Sequence, residues 1–177
     1  MATAAQTPYL SVEQYLHTSY RPDVDYVEGH TEERNSGEYD HSTLQGTLFS
    51  LLRSRRHEWN VRVAVELRVQ TSAYRFRVPD VCVLDRTQPK EQVVRRPPLL
   101  CIEVLSPEDT VRRMIERAQD YLAMGVGAVW LFDPASRTVT ICSQDGLTAQ
   151  QGSGRLELQG TPIVLDLQEV FSALDED

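Results

Sequence analysis

Two acidic residues interrupt apolar runs that are otherwise typical of buried strands. Asp80 follows Pro79 in the run VPDVCVL, and Glu103 lies in the run CIEVL, 23 positions later. An unpaired carboxylate buried in a strand costs several kcal/mol, so it requires a partner, a proton or a metal ion. Two such acids on neighbouring strands predict a shared cation, and an oxygen-only donor set favours Mg²⁺ or Mn²⁺ over zinc. Taken singly, each acid has a second interpretation as an edge-strand residue, a solvent-facing residue or the partner of an arginine.

The apolar pattern around these acids predicts the elements that position them. Leucines at three- and four-residue spacing between residues 40 and 59 predict an amphipathic helix. The runs VRVAVELRVQ and YRFRVPDVCVL, separated by the link TSA, predict an antiparallel hairpin, and LLCIEVLS predicts a central strand buried on both faces. A helix is predicted from Ser106 to about Met124, followed by the strands AVWLFD and TVTIC.

This order of elements predicts an α/β (α+β) fold in which helices flank a mixed central β-sheet. The 177 residues are enough for one domain with one sizeable core. We predict one domain over residues 1–177, with a core at about 40–133, an N-terminal helix and hairpin at 10–35, and C-terminal strands and a helix at 137–174.

The charge distribution restricts how the chain can bind nucleic acid. Its net charge of −8 has the wrong sign for binding DNA by bulk electrostatics, so any DNA contact must be local. Lys90 is the only lysine among the 18 Lys and Arg residues. The arginines form local clusters that predict DNA contacts: Arg53, Arg55 and Arg56; Arg95 and Arg96; Arg112 and Arg113.

Cysteine usage and hydropathy predict a cytoplasmic protein. The three cysteines, Cys82, Cys101 and Cys142, are odd in number and lack the paired spacing of a zinc site. Cys82 and Cys101 lie in apolar runs, where a free cysteine behaves as a small buried hydrophobe. The N-terminus MATAAQTPYL lacks the pattern of a signal peptide, and no run approaches the ~20 apolar residues of a membrane span. We therefore expect no disulfide and no membrane association.

Segments along most of the chain resemble the putative restriction endonuclease family, a bacterial branch of the PD-(D/E)xK nuclease superfamily. These segments are SVEQYL, DYVEGH, DHSTL, VPDVCVLD, PPLLCIEVLSPED, IERAQDYLAMGVGAVWLFDP and LDLQEVF. The resemblance implies a restriction endonuclease-like core in which Pro79 and Asp80 form the PD pair, Glu103 is the next acid, and the two acids bind the metal ion.

The resemblance implies roles for further residues. The family often has a histidine early in the first core helix, which His41 matches; as a lone histidine near a helix start, His41 has a second interpretation as a capping or surface residue. A glutamate and an aspartate usually flank the N-terminal hairpin of the family, and Asp25 and Glu28 match them with their types exchanged. Glu66 resembles a further, less constant acid.

One position departs from the superfamily pattern. A lysine is expected two positions after the glutamate, where this chain has Leu105, and in this branch the lysine comes from the following helix, where this chain has Arg117. A guanidinium supplies charge and hydrogen bonds but stays protonated. We predict that Arg117 either stabilises charge on the phosphate or lies on the helix surface, paired with Asp120 or Glu116.

Two functions follow from these residues. The first is a metal-dependent DNA endonuclease that hydrolyses phosphodiester bonds, with the predicted catalytic residues Asp80, Glu103, Arg117, His41, Asp25 and Glu28. The alternative is a catalytically weakened or inactive nuclease-fold protein that acts as a nucleic-acid or protein binding module. Because nucleases that cut both strands commonly act as dimers, we also expect a homodimer, with TVTIC and PIVLDL available to pair across chains.

Overall fold

The first half of the chain forms two helices and six strands. A computed structural model describes residues 9–35 and 37–175. The elements up to the first predicted acid and just beyond it are α1 (Val12–His17), β1 (Asp25–Val27), β2 (His30–Glu32), α2 (Tyr39–Ser54), β3 (Val61–Val65), β4 (Val69–Ser72), β5 (Arg75–Arg77) and β6 (Val81–Asp85). Helix α1 begins with a capping box, since Ser11 and Gln14 cap each other's backbone N–H.

The second half begins with the strand that carries Glu103. Its elements are β7 (Leu100–Val104), α3 (Val111–Met124), β8 (Ala128–Asp133), β9 (Thr138–Ser143), β10 (Gly146–Gln151), β11 (Arg155–Glu157), β12 (Val164–Asp166), α4 (Leu167–Ser172) and a 3₁₀ turn at Ala173–Asp175. All five residues of β7 are buried, as predicted for a central strand.

Within the described residues, the main sheet has six strands in the order β10-β9-β8-β7-β6-β3. Strands β7 and β8 are parallel and the other neighbours are antiparallel, so the sheet is mixed. A four-stranded sheet of order β2-β1-β5-β4 and the pair β11-β12 lie outside it. The predicted mixed α/β fold with flanking helices is confirmed.

Helices cover both faces of the main sheet. Helix α2 packs Leu44, Leu48 and Leu52 on one face, together with α4, against strand residues such as Trp130. On the other face, α3 packs against Cys82 and Cys101, which are free and buried as predicted. The side chains between α3 and the main sheet are mostly apolar, so the polar groups of the candidate site lie at the edge of this layer.

The predicted hairpin forms as two antiparallel pairs of strands that belong to different sheets. Each of its two runs divides into two strands, so β4 pairs with β5 while β3 pairs with β6. The first run breaks at Glu66, which has a left-handed φ of 49°, and the second breaks before Asp80, where Pro79 has no backbone N–H to donate. This division places Asp80 directly before β6.

Two further predictions about elements are wrong. Helix α3 begins at Val111 and not at Ser106, because the Asp109 carboxylate accepts a hydrogen bond from the Ser106 N–H and forms a local turn, and Thr110 caps the helix. The segment TVTIC is β9, which pairs with β8 and β10 within the chain, so it has no free edge to pair with a second chain. In the part of the chain that the structure describes, no helix has the length and apolarity needed to cross a membrane.

Candidate active site

The register of β6 and β7 brings the two predicted acids together. Val81 pairs with Ile102 in this antiparallel ladder, so the next step of the register places Asp80 opposite Glu103. Residues opposite each other in a ladder have their side chains on the same face. Both carboxylates are buried, with 2% and 1% of their surface exposed; Glu103 contacts α3, and Asp80 contacts His41 of α2. Asp80 and Glu103 therefore form one buried pair.

Asp80 is surrounded by donors. Its Oδ2 accepts a 2.7 Å hydrogen bond from the Val104 N–H and lies 3.3 Å from His41 Nε2, and its Oδ1 accepts a hydrogen bond from Arg34. Burial alone raises the pKa of Asp80, but the contact with His41 and the charge of Arg34 outweigh it, so the pKa lies below its ordinary value. Asp80 is ionised at neutral pH.

Glu103 has a different set of partners, both from α3. Arg117 Nη2 lies 3.1 Å from each carboxylate oxygen, and the Tyr121 hydroxyl donates a 2.7 Å hydrogen bond to Oε1. Burial raises the pKa of Glu103 from 4.5 to about 7, although the Arg117 charge opposes this rise. Glu103 is therefore the less acidic member of the pair.

Arg117 lies inside the protein and not on the surface of α3. It is 5% exposed, donates to the Val78 carbonyl at 3.2 Å, and places Nη1 3.6 Å from Asp25 Oδ2. The predicted surface partners are bound elsewhere, since Glu116 pairs with Arg112 and Asp120 with Arg75 and Arg77. The surface interpretation of Arg117 is wrong.

Asp25 joins the cluster, but Glu28 does not. Asp25 is buried and accepts hydrogen bonds of 2.9 Å from Arg77 Nη1 and from the Val78 N–H. Glu28 lies in the turn between β1 and β2 with a φ of 49°, is mostly exposed, and pairs with Arg75. Glu32 on β2 contacts Arg77 at 2.6 Å, in the same network as Asp25. Of the predicted catalytic residues, the structure brings together Asp80, Glu103, Arg117, His41 and Asp25.

His41 faces the carboxylates from the first turn of α2. Its Nε2 contacts Asp80, its side chain is mostly buried, and Nδ1 has no hydrogen-bond partner among the described residues. Burial lowers the pKa of His41, but the contact with Asp80 raises it more, so the pKa lies above its ordinary value. The surface or capping interpretation of His41 is wrong, because α2 begins after Glu38 and has no side-chain cap.

Three residues of the site were missed in the sequence. Arg34 follows β2 in a polar stretch with no apolar pattern, so nothing marked it as a partner of Asp80. Arg77 precedes Pro79 and binds Asp25, Glu32 and Asp120. Tyr121 was detectable in principle, because it lies four residues after Arg117 and so on the same face of α3.

The donor set fits a divalent cation, but Arg34 takes the place of one beside Asp80. The space between Arg34, His41, Asp80, Glu103 and Arg117 is about 20 Å³, enough for about one water molecule. Within residues 9–35 and 37–175, no group of three or more His, Cys, Asp or Glu side chains is arranged to bind a metal ion. The carboxylates of Asp80 and Glu103 have the hard oxygens that Mg²⁺ and Mn²⁺ prefer. An ion bound to Asp80 Oδ1 would compete with Arg34 for that oxygen.

A family sequence profile matches residues 12–174, which include every residue of this site. The chain belongs to the Uma2 family, described as putative restriction endonucleases. The predicted family is thus confirmed. No curated protein matches the chain.

Two solved structures resemble this Uma2 member. A crystal structure of a putative nuclease belonging to DUF820 from Anabaena variabilis matches 93% of this chain and 99% of that chain, with 22% identity and a TM-score of 0.83. At this identity the likeness establishes a shared fold. A cryo-EM structure of a DrdV–DNA complex matches 76% of this chain and 11% of that chain, with 17% identity and a TM-score of 0.43. The nuclease-like fold and the family together support a nuclease.

The two acids of the N-terminal hairpin should differ strongly in their effect on stability. Asp25→Ala leaves the buried charges of Arg77 and Arg117 without a shared acceptor, so we expect a loss of about 3–5 kcal/mol in the free energy of unfolding. Glu28→Ala removes one exposed ion pair and serves as the control, with an expected loss below about 1 kcal/mol. Urea unfolding measures both. Equal losses in the two variants would contradict the buried role of Asp25.

The raised pKa of Glu103 predicts a specific dependence of stability on pH. Between pH 4.5 and about 7 the native carboxyl keeps its proton while the unfolded one has lost it, so the native state binds more protons. The free energy of unfolding then decreases as pH rises through this window. Urea unfolding in EDTA of the wild type and of Glu103→Gln isolates this contribution, because the amide does not titrate. The difference between the two proteins should change by up to about 3 kcal/mol across the window, and a constant difference would contradict the raised pKa.

Proposed function

We propose that the chain is a metal-dependent DNA endonuclease that hydrolyses phosphodiester bonds. The observation that supports this function is the pairing of Asp80 and Glu103, two buried carboxylates that lie opposite each other on neighbouring strands of a nuclease-like fold. In a member of the Uma2 family, such a pair is the group best suited to bind a catalytic ion. The proposed ion is Mg²⁺ or Mn²⁺, held by Asp80 and Glu103.

When bound, the ion polarises the phosphate and lowers the pKa of its water. Arg117 contributes fixed positive charge beside Glu103, where negative charge develops on the phosphate. Its guanidinium stays protonated, so it stabilises charge and does not accept a proton. Asp25 positions Arg117 and Arg77 through its carboxylate. His41 faces the site through Nε2 and is the proposed hydrogen-bond donor to phosphate or water.

The second proposed function is a nucleic-acid or protein binding module with little or no catalysis. The observation that favours it is the charge balance of the site without an added ion, since Arg34 neutralises Asp80 and Arg117 neutralises Glu103. Lys90 lies in the loop after β6 and not in the site. For either function we propose a cytoplasmic protein. A homodimer also remains a prediction, but the strand TVTIC does not form its interface, because both of its edges are paired within the chain.

Cleavage of supercoiled plasmid with Mg²⁺ or Mn²⁺ distinguishes the two functions. We expect the wild type to nick the plasmid and Asp80→Asn to lose about 100-fold or more of that activity, because the amide is a poor metal ligand. Glu28→Ala, which changes an exposed acid outside the cluster, should keep wild-type activity. If Arg117→Lys nicks the plasmid and the wild type does not, the arginine at position 117 is the reason why the wild type lacks catalysis. Nicking that persists in Asp80→Asn would contradict the proposed site.

Arg34 should compete with the metal ion for Asp80. We therefore expect Arg34→Ala to bind Mn²⁺ at least about tenfold more tightly than the wild type, because the carboxylate no longer has a cation beside it. Isothermal titration calorimetry measures the affinity. Arg113→Ala is the control, because Arg113 donates to the Glu33 carbonyl next to Arg34 but binds no carboxylate. Unchanged Mn²⁺ affinity in Arg34→Ala would show that Arg34 does not compete with the ion.

A further inference from the structure

A cleft of about 450 Å³ lies along the open edge of β3, away from the carboxylate pair. Strand β3 ends the main sheet, and its register with β6 runs from Val61 opposite Asp85 to Val65 opposite Val81. The C-terminal end of α2 forms one wall and the loop of residues 86–97 forms the other. Asp80 directly precedes β6, which ends at Asp85, so the far end of the cleft lies roughly 16 Å along the chain from Asp80.

The rim of this cleft is strongly basic, and its floor is apolar. The floor includes Val63, Ala64, Leu67 and Leu84. The cations that line the cleft are Arg53, Arg56, Arg62, Arg86, Lys90 and Arg96. Among the described residues, none of these six side chains forms a salt bridge, whereas Arg34, Arg77 and Arg117 of the carboxylate site all do. The cleft is therefore a local concentration of uncompensated positive charge in a chain with a net charge of −8.

The two acids in the cleft are bound by their own loop. The Asp85 carboxylate accepts hydrogen bonds from the N–H and the hydroxyl of Thr87. Glu91 accepts a hydrogen bond from the Arg95 N–H at 3.0 Å. Both acids keep their negative charge, and the charge of Arg62 acts on Asp85. The cleft still has a net positive charge, because six cations and only these two acids line it.

The walls of the cleft are fixed by contacts that do not use a ligand. Arg62 donates to the carbonyls of Gln88 at 2.9 Å and Arg86 at 3.1 Å, which holds the loop against β3. Arg86 Nη1 donates to His57 Nδ1 at 2.8 Å and so connects the loop to the residues that follow α2. Arg53, Lys90 and Arg96 remain exposed at the rim. A largely preformed concave site with a few convergent polar groups is typical of ligand binding.

The chemistry of the cleft fits a nucleotide. Guanidinium groups pair with phosphate oxygens through parallel hydrogen bonds, and the close approach of like charges at the rim is relieved by an anion. The aliphatic side chains of the floor offer a base an apolar contact. We propose that this cleft binds nucleotide phosphates, either in a single-stranded segment of nucleic acid or in a free mononucleotide, at a site separate from Asp80 and Glu103. The proposal extends the nuclease function by giving the strand a second point of attachment.

Binding without cleavage tests the cleft separately from catalysis. Fluorescence anisotropy in EDTA measures the affinity of the full chain for a labelled single-stranded DNA of about 12 nucleotides. The cleft variant is Arg53→Glu with Arg96→Glu. The control is Arg21→Glu with Arg155→Glu, which makes the same charge change at exposed residues that do not line the cleft and belong to none of the arginine clusters.

We expect the cleft variant to lose at least about tenfold in affinity and to show a smaller dependence on salt, while the control loses less than about threefold. Competition by AMP identifies a mononucleotide site, and competition by unlabelled oligonucleotide alone identifies a site for a nucleic-acid strand; both support the proposal. Equal losses in the two variants, equal competition by an acidic peptide, or no binding by the wild type would overturn it. If the protein cuts plasmid but the cleft variant binds DNA as well as the control does, the cleft proposal fails and the nuclease function stands. If the cleft variant loses binding but the protein cuts no plasmid, the nuclease function fails and the cleft proposal stands.

Discussion

Two negative charges lie side by side in the interior, and most of the surrounding polar structure compensates them. Asp80 and Glu103 occupy opposite positions of a buried ladder, where neither is hydrated by bulk solvent. Repulsion and burial raise the pKa of Glu103, while Asp80 keeps its charge because it has more donors. The cations that neutralise the pair come from different parts of the chain: Arg34 from the segment before α2, and Arg117 from α3. The site is thus also a set of contacts that attaches these elements to the sheet.

The same compensation continues outward from Asp25. Arg77 is 4% exposed and contacts three carboxylates, which are Asp25 of β1, Glu32 of β2 and Asp120 of α3. These ion pairs connect the four-stranded sheet to α3. Removing one partner from such a network leaves other charges buried and unpaired, which costs far more than the loss of a surface ion pair. Asp25 therefore acts on the site by positioning two arginines, whereas Glu28, three residues later, lies in the solvent-facing turn.

The sequence predicted the central pair and the succession of core strands and helices because both follow from local patterns. An acid within an apolar run is detectable by eye, and β7 and β8 are continuous apolar runs. The partners of the pair depend on tertiary geometry. Arg34 and Asp80 are 46 residues apart, and nothing near Arg34 indicates where its guanidinium lies. The predicted start of α3 was wrong because the Asp109 side chain competes locally with the helix. Glu28 lies outside the cluster of carboxylates and arginines, because the resemblance gave a residue type and a region but not a side-chain direction.

The position of Asp80 also has a consequence for how the chain reaches its fold. Successive side chains of a strand alternate between the two faces, so a slip of β6 by one residue against β7 would move the Asp80 carboxylate away from its hydrogen bond with the Val104 N–H. A carboxylate that is buried without its donors destabilises the fold. The correct alignment alone offers Asp80 the Val104 N–H, His41 and Arg34. We infer that the charge which equips the site for chemistry also discriminates against misaligned sheets during folding.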